Sequence, residues 1–476
     1  MDPIIIILIG TAVVLFCILV LRLHAVISLL LAALVTALLT PPELIYGFAI
    51  STGMGEQEAL KFSQVSLGKR LGVAFGNTSG KIGILIALAS IIGTSLMRSG
   101  GAERIVRGLL RVLGKKNSSV ALLFSSFTLA IPVFFDTVFY LMIPVIKSLG
   151  IKNPRKFGLY LMAVIAGGVM AHSLIPPTPG PLFVAETMGI DLGVMMIGGI
   201  GIGTITILAG YGYAKWANMR WDLPMRSTPD ISVEELKKVS EVDNKDLPSL
   251  SLSLLPVVLP IFLITGNTFS KMFFEGKTDL TVTQESITTI FSVLGDPNIA
   301  LFISAILAMY LMWSREKQFD HFKKYIYEAL TSAGMIILIT SAGGAFGQML
   351  QQTGIGIRIQ ELSANYQMAI LPMAFIITAI VRSAQGSATI AMVTTIGIIG
   401  GIADAGLAFH PVYIALAIGC GSKIFAWMND SAFWIITEMS GMKEKETIRH
   451  FSVLLMVMAL AGLIAIMIGS KLLPFA

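Results

Sequence analysis

The sequence has little charge. Only 13% of its 476 residues are Asp, Glu, Lys or Arg, while 55% are hydrophobic, and a soluble domain carries about 25% charged residues. The apolar runs reach about 17–25 residues, the length that an α-helix needs to cross a bilayer. The alternating pattern of outer-membrane barrels is absent from the sequence. The composition therefore predicts an all-α, polytopic membrane protein.

Cysteines and catalytic motifs are also scarce. The two cysteines, Cys17 and Cys420, lie far apart in apolar segments, which indicates neither a disulfide framework nor a metal site. The sequence contains no Walker, HExxH or GxSxG motif, which argues against a pump or a membrane hydrolase. The net charge of +6 comes without a basic patch interleaved with aromatics, so we expect no nucleic-acid partner.

About ten membrane spans are predicted from the apolar runs. Two of them, 157–186 and 410–440, are broken by proline-rich or polar residues. The charged stretch 216–250 is interpreted as a cytoplasmic linker between two halves, 1–215 and 251–476. The other spans are placed at 3–21, 24–40, 82–97, 192–214, 251–266, 299–313, 327–350 and 451–470.

The two halves resemble each other at a constant spacing. Thr353 lies 254 positions after Ser99, within similar stretches of sequence. The same offset carries the apolar segment 119–146 onto 373–400 and aligns the third, broken and last spans of each half. Several matches in one register predict an internal repeat.

Charge in the loops predicts that the repeats are inverted. Residues 98–118 contain six basic residues and one acidic residue, whereas the only charged residues in 352–372 are Arg358 and Glu361. Basic loops stay in the cytoplasm, so we expect the two loops to lie on opposite faces. Inverted repeats are typical of secondary transporters, whose substrate binds near the midplane where helices are broken.

One segment of each half is predicted to form a re-entrant hairpin. Segment 119–146 has basic residues at both ends and is too short for two full spans. The tip of this hairpin is placed at 131–136. The repeat predicts a mirror hairpin at 372–400, with its tip at 382–387. A single tilted helix is the alternative for each segment.

Five ionisable side chains fall in these tips and breaks. Charged groups within apolar segments are costly, so each indicates a functional site. Arg382 and Lys423 are suited to bind an organic carboxylate. Asp136 and Asp430 are candidate proton carriers because a desolvated carboxylate can take up a proton. His172, at the first break, is a third candidate, although a lone histidine on an apolar face is more often a core residue.

The remaining candidate substrate ligands are polar or backbone groups at the same places. Hydroxyls and an amide suit a polyhydroxylated substrate, and the helix ends at the breaks present positive dipoles to an anion. The alternative is that Arg382–Asp430 or Lys423–Asp136 are ion pairs that only neutralise buried charge. The additional ligands are Pro177, Thr178, Ser387, Thr389, Ser422, Asn429 and Ser431.

Five stretches, in order along both halves, resemble the gluconate permease (GntP) family. They are residues 80–105, 131–144, 172–181 (HSLIPPTPGP), 382–391 (RSAQGSATIA) and 428–434 (MNDSAFW). The resemblance implies a bacterial inner-membrane symporter that carries gluconate-like sugar acids with protons. It also implies membership of the ion transporter superfamily, whose members pair a scaffold domain with a mobile transport domain, usually as homodimers.

The chain departs from that family's pattern at the expected site. Asp136 stands where glutamate is usual, and Thr178 and Trp427 stand where histidine is usual. Lys423 replaces a small residue, and Gln385 replaces threonine. These departures bear on the identity of the substrate and on the coupling ion far more than on the fold.

The sequence therefore predicts a proton-coupled symporter for a small organic anion, most simply gluconate or a related sugar or hydroxy acid. We expect elevator-type alternating access in the inner membrane and no cofactor beyond an ion gradient. The alternatives are a D-serine-like amino-acid carrier or a Na⁺-coupled carboxylate transporter. A channel or a membrane-embedded enzyme would be alternatives of another class.

Overall fold

A computed structural model describes residues 2–114, 117–226, 247–274, 277, 281–354, 367–400 and 407–474. Within these ranges the regular structure is helical and no strand occurs, as the composition predicts. Most of the predicted linker, Lys115 and Lys116 of the basic loop, and Arg358 and Glu361 lie outside the described residues.

The described part of the first half contains eleven α-helices, the last of which runs five residues into the predicted linker. They are α1 (Pro3–Leu19), α2 (Ala25–Leu39), α3 (Pro42–Ser51), α4 (Glu56–Ser63), α5 (Leu67–Arg98), α6 (Gly101–Leu113), α7 (Ser118–Leu129), α8 (Phe135–Lys152), α9 (Phe157–Leu174), α10 (Pro179–Thr187) and α11 (Leu192–Arg220).

The described part of the second half continues the series. It comprises α12 (Leu250–Phe274), α13 (Val282–Leu294), α14 (Pro297–Glu316), α15 (Phe319–Gln351), α16 (Ile370–Gln385), α17 (Ala388–Ile399), α18 (Val412–Gly421), α19 (Ser431–Ser440), α20 (Glu444–Thr447) and α21 (Val453–Leu472), with a π-helical turn at Ile448–Ser452 before α21.

Seven helical segments among the described residues are long and apolar enough to cross a membrane, and α2 with α3, bent by 100°, would make an eighth. The count of about ten stays a prediction.

The third span is longer than predicted, because α5 begins at Leu67 rather than at residue 82. Its added turns hold Arg70, which is buried and donates to Gln352 at 2.7 Å. A hydropathy pattern does not reveal such a paired polar extension.

Neither hairpin segment is one continuous helix. The first is divided into α7 and α8 by residues 130–134, and the second into α16 and α17 at Gly386 and Ser387. Gly386 has a φ of +75° and lies against the backbone of Asn429, so a side chain would fit neither the conformation nor the space.

The proline run interrupts a span, as predicted, but the break begins later than predicted. His172 lies inside α9, and the helix ends at Leu174 because Ile175, which precedes Pro176, has an extended backbone. Pro179 begins α10. A proline fits there because the backbone N–H groups of the first helical turn have no partner within the helix. The second broken span is interrupted between α18 and α19.

Helix α9 forms the centre of the core. In the span formed by α9 and α10, 94% of the most apolar 18-residue window is buried inside the protein. In α12 the corresponding share is 39%. Helices α7, α8 and α11 pack around α9. Gly168 permits this packing, because a Cβ there would lie 2.8 Å from the Phe135 ring. Helices α5 and α15 pack along each other, and α15 also contacts α2 and α17. The span formed by α9 and α10 is therefore surrounded by other helices of the protein.

Candidate functional site

The second hairpin tip and the second broken span meet directly. The Arg382 guanidinium forms an ion pair with the Asp430 carboxylate. Nδ2 of Asn429 donates to the Ser383 carbonyl oxygen at 2.7 Å, and Nε1 of Trp427 donates to the same oxygen at 3.4 Å. Two elements that the sequence selects independently thus form one structural unit.

Asp430 also begins the helix that follows it. Its Oδ1 accepts the backbone N–H of Ala432 at 2.9 Å and caps α19. The alternative expected from sequence, an internal Arg382–Asp430 ion pair, is therefore present. Both oxygens of this carboxylate are occupied, by Arg382 and by the end of α19.

Several buried polar atoms around this ion pair lack a partner. Arg382 is only 3% exposed, yet its Nε and Nη1 make no hydrogen bond within the described chain. Both side-chain polar atoms of Gln385 and the Oδ1 of Asn429 are also unpaired. Unmade buried hydrogen bonds are costly and rare. Donors and acceptors grouped in this way indicate that a polar ligand binds between them.

Lys423 adds a second cation at the break after α18. Its side chain is 5% exposed and has neither a hydrogen bond nor an ion pair among the described residues. Arg382, Asp430 and Asp136 all lie within electrostatic range of the ammonium. The direct Lys423–Asp136 ion pair considered from sequence does not form, and the half-buried Asp136 carboxylate likewise has no partner in the described ranges.

The two interruptions of the first half also meet. The rings of Phe134 and His172 lie edge to face, with centroids 5.8 Å apart. Residues 131–134 and 177–179 enclose a space of about 230 Å³. His172 also lies within electrostatic range of Lys423. All four interrupted segments therefore converge on one region.

The hydroxyl ligands expected from sequence differ in their placement. Thr178 is buried and donates to the Ile175 carbonyl at 2.6 Å, and Ser422 donates to Gly419 at 2.7 Å. Ser387 caps α17 by accepting the Ile390 N–H at 3.4 Å, and Thr389 is half-buried two residues later. Ser431 is exposed at the start of α19. Pro177 is buried in the first break, after a cis peptide bond.

Sequence reasoning noted Gln385 only as a departure from a family pattern. The structure places its unpaired amide one turn after Arg382 on α16. Its position in the predicted tip was the available signal. Glu186, described below, lies at the end of the predicted span 157–186, where a charged residue does not by itself indicate a site, and the sequence pattern does not select Lys81.

Membrane-length helices, interrupted where polar side chains are buried, define a membrane transport protein. Comparison with known proteins gives its family. The profile of the GntP family permease matches residues 2–472, and the chain belongs to this family.

Individual relatives agree with this assignment. A gluconate permease of Pseudomonas aeruginosa is 30% identical, with 83% of this chain and 86% of the relative aligned. The inner membrane permease YgbN of Escherichia coli K12 is 31% identical over 83% of this chain and 87% of its own length. The chain is therefore a transporter rather than an enzyme, and a multi-pass protein of the bacterial inner membrane.

The fold has a counterpart among solved structures. The crystal structure of the YdaH transporter of Alcanivorax borkumensis superposes with a TM-score of 0.54, covering 85% of this chain and 88% of that one. The two sequences are 11% identical, so the likeness concerns the fold alone.

Proposed function

We propose that the chain is a proton-coupled symporter that imports gluconate or a related sugar acid by elevator-type alternating access. The observation that carries this proposal is the pair of buried, unpaired Arg382 donors, Nε and Nη1, together with the buried Lys423, which has no ion pair among the described residues. Buried donors and charges without partners are costly. A carboxylate bound between these two side chains would satisfy both.

The surrounding groups suit a polyhydroxylated acid. The unpaired amide of Gln385 and the unpaired Oδ1 of Asn429 offer one donor group and two acceptors near the cations. Such groups match hydroxyls on the carbon chain of a sugar acid. The relative from Pseudomonas aeruginosa is named a gluconate permease, which supports gluconate as the first substrate to test.

Asp136 is the better candidate for the proton carrier. The carboxylate of Asp430 is held by Arg382 and by the N-terminus of α19. Asp136 has no such partner in the described chain and lies within electrostatic range of both Asp430 and Lys423. Protonation of Asp136 would remove its repulsion of an incoming anion. His172, with an unpaired Nδ1, is the secondary candidate.

Helix positions support the inverted repeat with two re-entrant hairpins. The starts of α15, α16, α17 and α19 follow those of α5, α7, α8 and α10 by 252, 252, 253 and 252 positions. These spacings agree closely with the sequence offset of 254. In the proposed elevator, the core around α9 carries the site, and the paired helices α5 and α15 belong to the scaffold. The homodimer implied by the resemblance stays a prediction.

Reconstitution tests the proposal. Purified protein in liposomes should accumulate labelled gluconate when the outside is made acidic, and Arg382→Gln should not. An imposed Na⁺ gradient at equal pH should give no accumulation. Accumulation driven by Na⁺ alone would replace protons as the coupling ion, and failure to take up any sugar acid, dicarboxylate or serine would overturn the transport proposal.

A further inference from the structure

A second polar cavity lies away from the residues described so far. It is a cleft bounded by α5, α10, α15 and α17, with about 540 Å³ of space that includes open solvent. None of the candidate ligands predicted from sequence lines it. Its polar lining consists of Asn77, Thr78, Lys81, Glu186, Thr187, Gln348 and Gln351.

This cavity has a counterpart elsewhere in the molecule. Another cavity, of about 990 Å³, is lined by residues of α5 and of the first hairpin tip. The offset of 254 carries four of its α5 residues onto four α15 residues of the first cavity, and relates Ser332 to Thr78. The four pairs are Ser90–Gly344, Gly93–Gly347, Thr94–Gln348 and Met97–Gln351. The two cavities therefore occupy equivalent places in the two repeats, which in an inverted repeat lie toward opposite membrane faces.

The two cavities differ in how close they come to the central site. The larger one contacts residues 132–134 of the first hairpin tip, next to Asp136. The smaller one reaches Glu186 on α10 and Gly397 on α17, eight residues after Thr178 and ten after Ser387. At about 1.5 Å per residue, it ends roughly 12–15 Å along these helices from the breaks. The larger cavity therefore reaches the first hairpin tip, and the smaller one ends away from the breaks.

The smaller cavity offers the same kinds of groups as the central site, but its cation is exposed rather than buried. Lys81 has no hydrogen bond or ion pair within the described ranges, and Glu186 lies within electrostatic range of it. Amides from Asn77, Gln348 and Gln351 line the same space. The site thus offers one cation and several hydroxyl-binding groups.

We propose that this cavity is an access subsite, where a polyhydroxylated carboxylate binds Lys81 before it reaches Arg382 and Lys423. The inference rests on the proposed function and extends it to a second binding position on the outer face. Glu186 would keep this binding weak, because its carboxylate competes with the substrate for Lys81. Weak binding suits a position that the substrate must leave.

Substrate protection tests the subsite. Asn77→Cys introduces a thiol into the cavity. The two native cysteines are buried, so the parent protein is the control that should not be labelled. In right-side-out membrane vesicles, a membrane-impermeant maleimide should label Asn77→Cys, and D-gluconate should slow labelling by about tenfold. Protection should persist with Arg382→Ala, should disappear with Lys81→Met and should remain with Lys81→Arg.

The outcomes separate the subsite from the central site. Protection lost with Arg382→Ala, or unchanged with Lys81→Met, would assign it to the central site and overturn the subsite. Absence of protection, or labelling only from the cytoplasmic face, would overturn it as well. Gluconate uptake by the parent vesicles, measured in parallel, reports separately on the proposed function.

Discussion

The carboxylate of Asp430 is shared between the Arg382 guanidinium and the N-terminus of α19. One oxygen pairs with Nη2 of Arg382, and the other accepts the Ala432 N–H at 2.9 Å. The ion pair uses one nitrogen of the guanidinium, and Nε and Nη1 of Arg382 have no partner among the described residues. Asp430 therefore holds Arg382 without using all of its donors, which leaves these donors for the proposed substrate.

Removal of Arg382 should have two separable effects. Arg382→Ala should abolish gluconate uptake, because the buried guanidinium and its free donors are lost. It should also lower the free energy of unfolding by about 3–5 kcal/mol, since Asp430 is left as a buried, uncompensated charge. The measurements are uptake in proteoliposomes and thermal unfolding in detergent.

A paired variant separates these effects. Arg382→Gln combined with Asp430→Asn removes both charges and keeps a side chain that can cap α19. Most of the lost stability should return, without uptake. Recovery of uptake by this double variant would show that Arg382 is structural rather than substrate-binding.

Neutralisation of Asp136 should change the pH dependence of uptake. If Asp136 carries the proton, wild-type uptake rises as the external pH falls, because protonation precedes anion binding. Asp136→Asn imitates the protonated state permanently, so uptake should become insensitive to external pH and should no longer concentrate the substrate. Uptake measured across an external pH series, with and without a pH gradient, provides the check.

Asp430→Asn is the matched control for Asp136. Because Asp430 is held by Arg382 and by α19, its substitution should lower stability and leave the pH slope in place. A pH slope lost in Asp430→Asn and kept in Asp136→Asn would reverse the assignment of the proton carrier.

The interruptions of the helices could be predicted because their causes are local. The prolines around residue 177 and the glycine at 386 restrict or permit backbone conformations at their own positions. The offset of 254 then predicts where the second half should be interrupted. The ion pair of Asp430 with Arg382 and the absence of a Lys423 partner among the described residues depend on which elements pack together. The cavity at Lys81 arises only when four helices separated in sequence come together. No spacing rule within one segment could predict it.

Lys423 should behave differently from Arg382. Its ammonium has no ion-pair partner in the part of the chain that the structure describes, so Lys423→Met removes an uncompensated buried charge. The melting temperature should therefore stay the same or rise. Loss of a charge-assisted hydrogen bond, worth about 1.5–3 kcal/mol, should raise the KM for gluconate by about 10–100-fold.

A matched thermal and kinetic series on Lys423→Met and Lys423→Arg tests this prediction. Lys423→Arg should retain much of the affinity because it keeps the charge. A large fall in melting temperature together with an unchanged KM would assign Lys423 a structural role.

The inverted repeat predicts that equivalent positions before α5 and α15 face opposite sides of the membrane. Gln64 and Gln318 are both exposed, are 254 positions apart and lie on these approaches. Gln64→Cys should react with an impermeant maleimide in intact cells, whereas Gln318→Cys should react only after the membrane is opened. This follows because Gln318 lies among the basic residues of 314–324, which stay in the cytoplasm. Labelling of both cysteines from one face would contradict the inversion, and with it the assignment of the two related cavities to opposite faces.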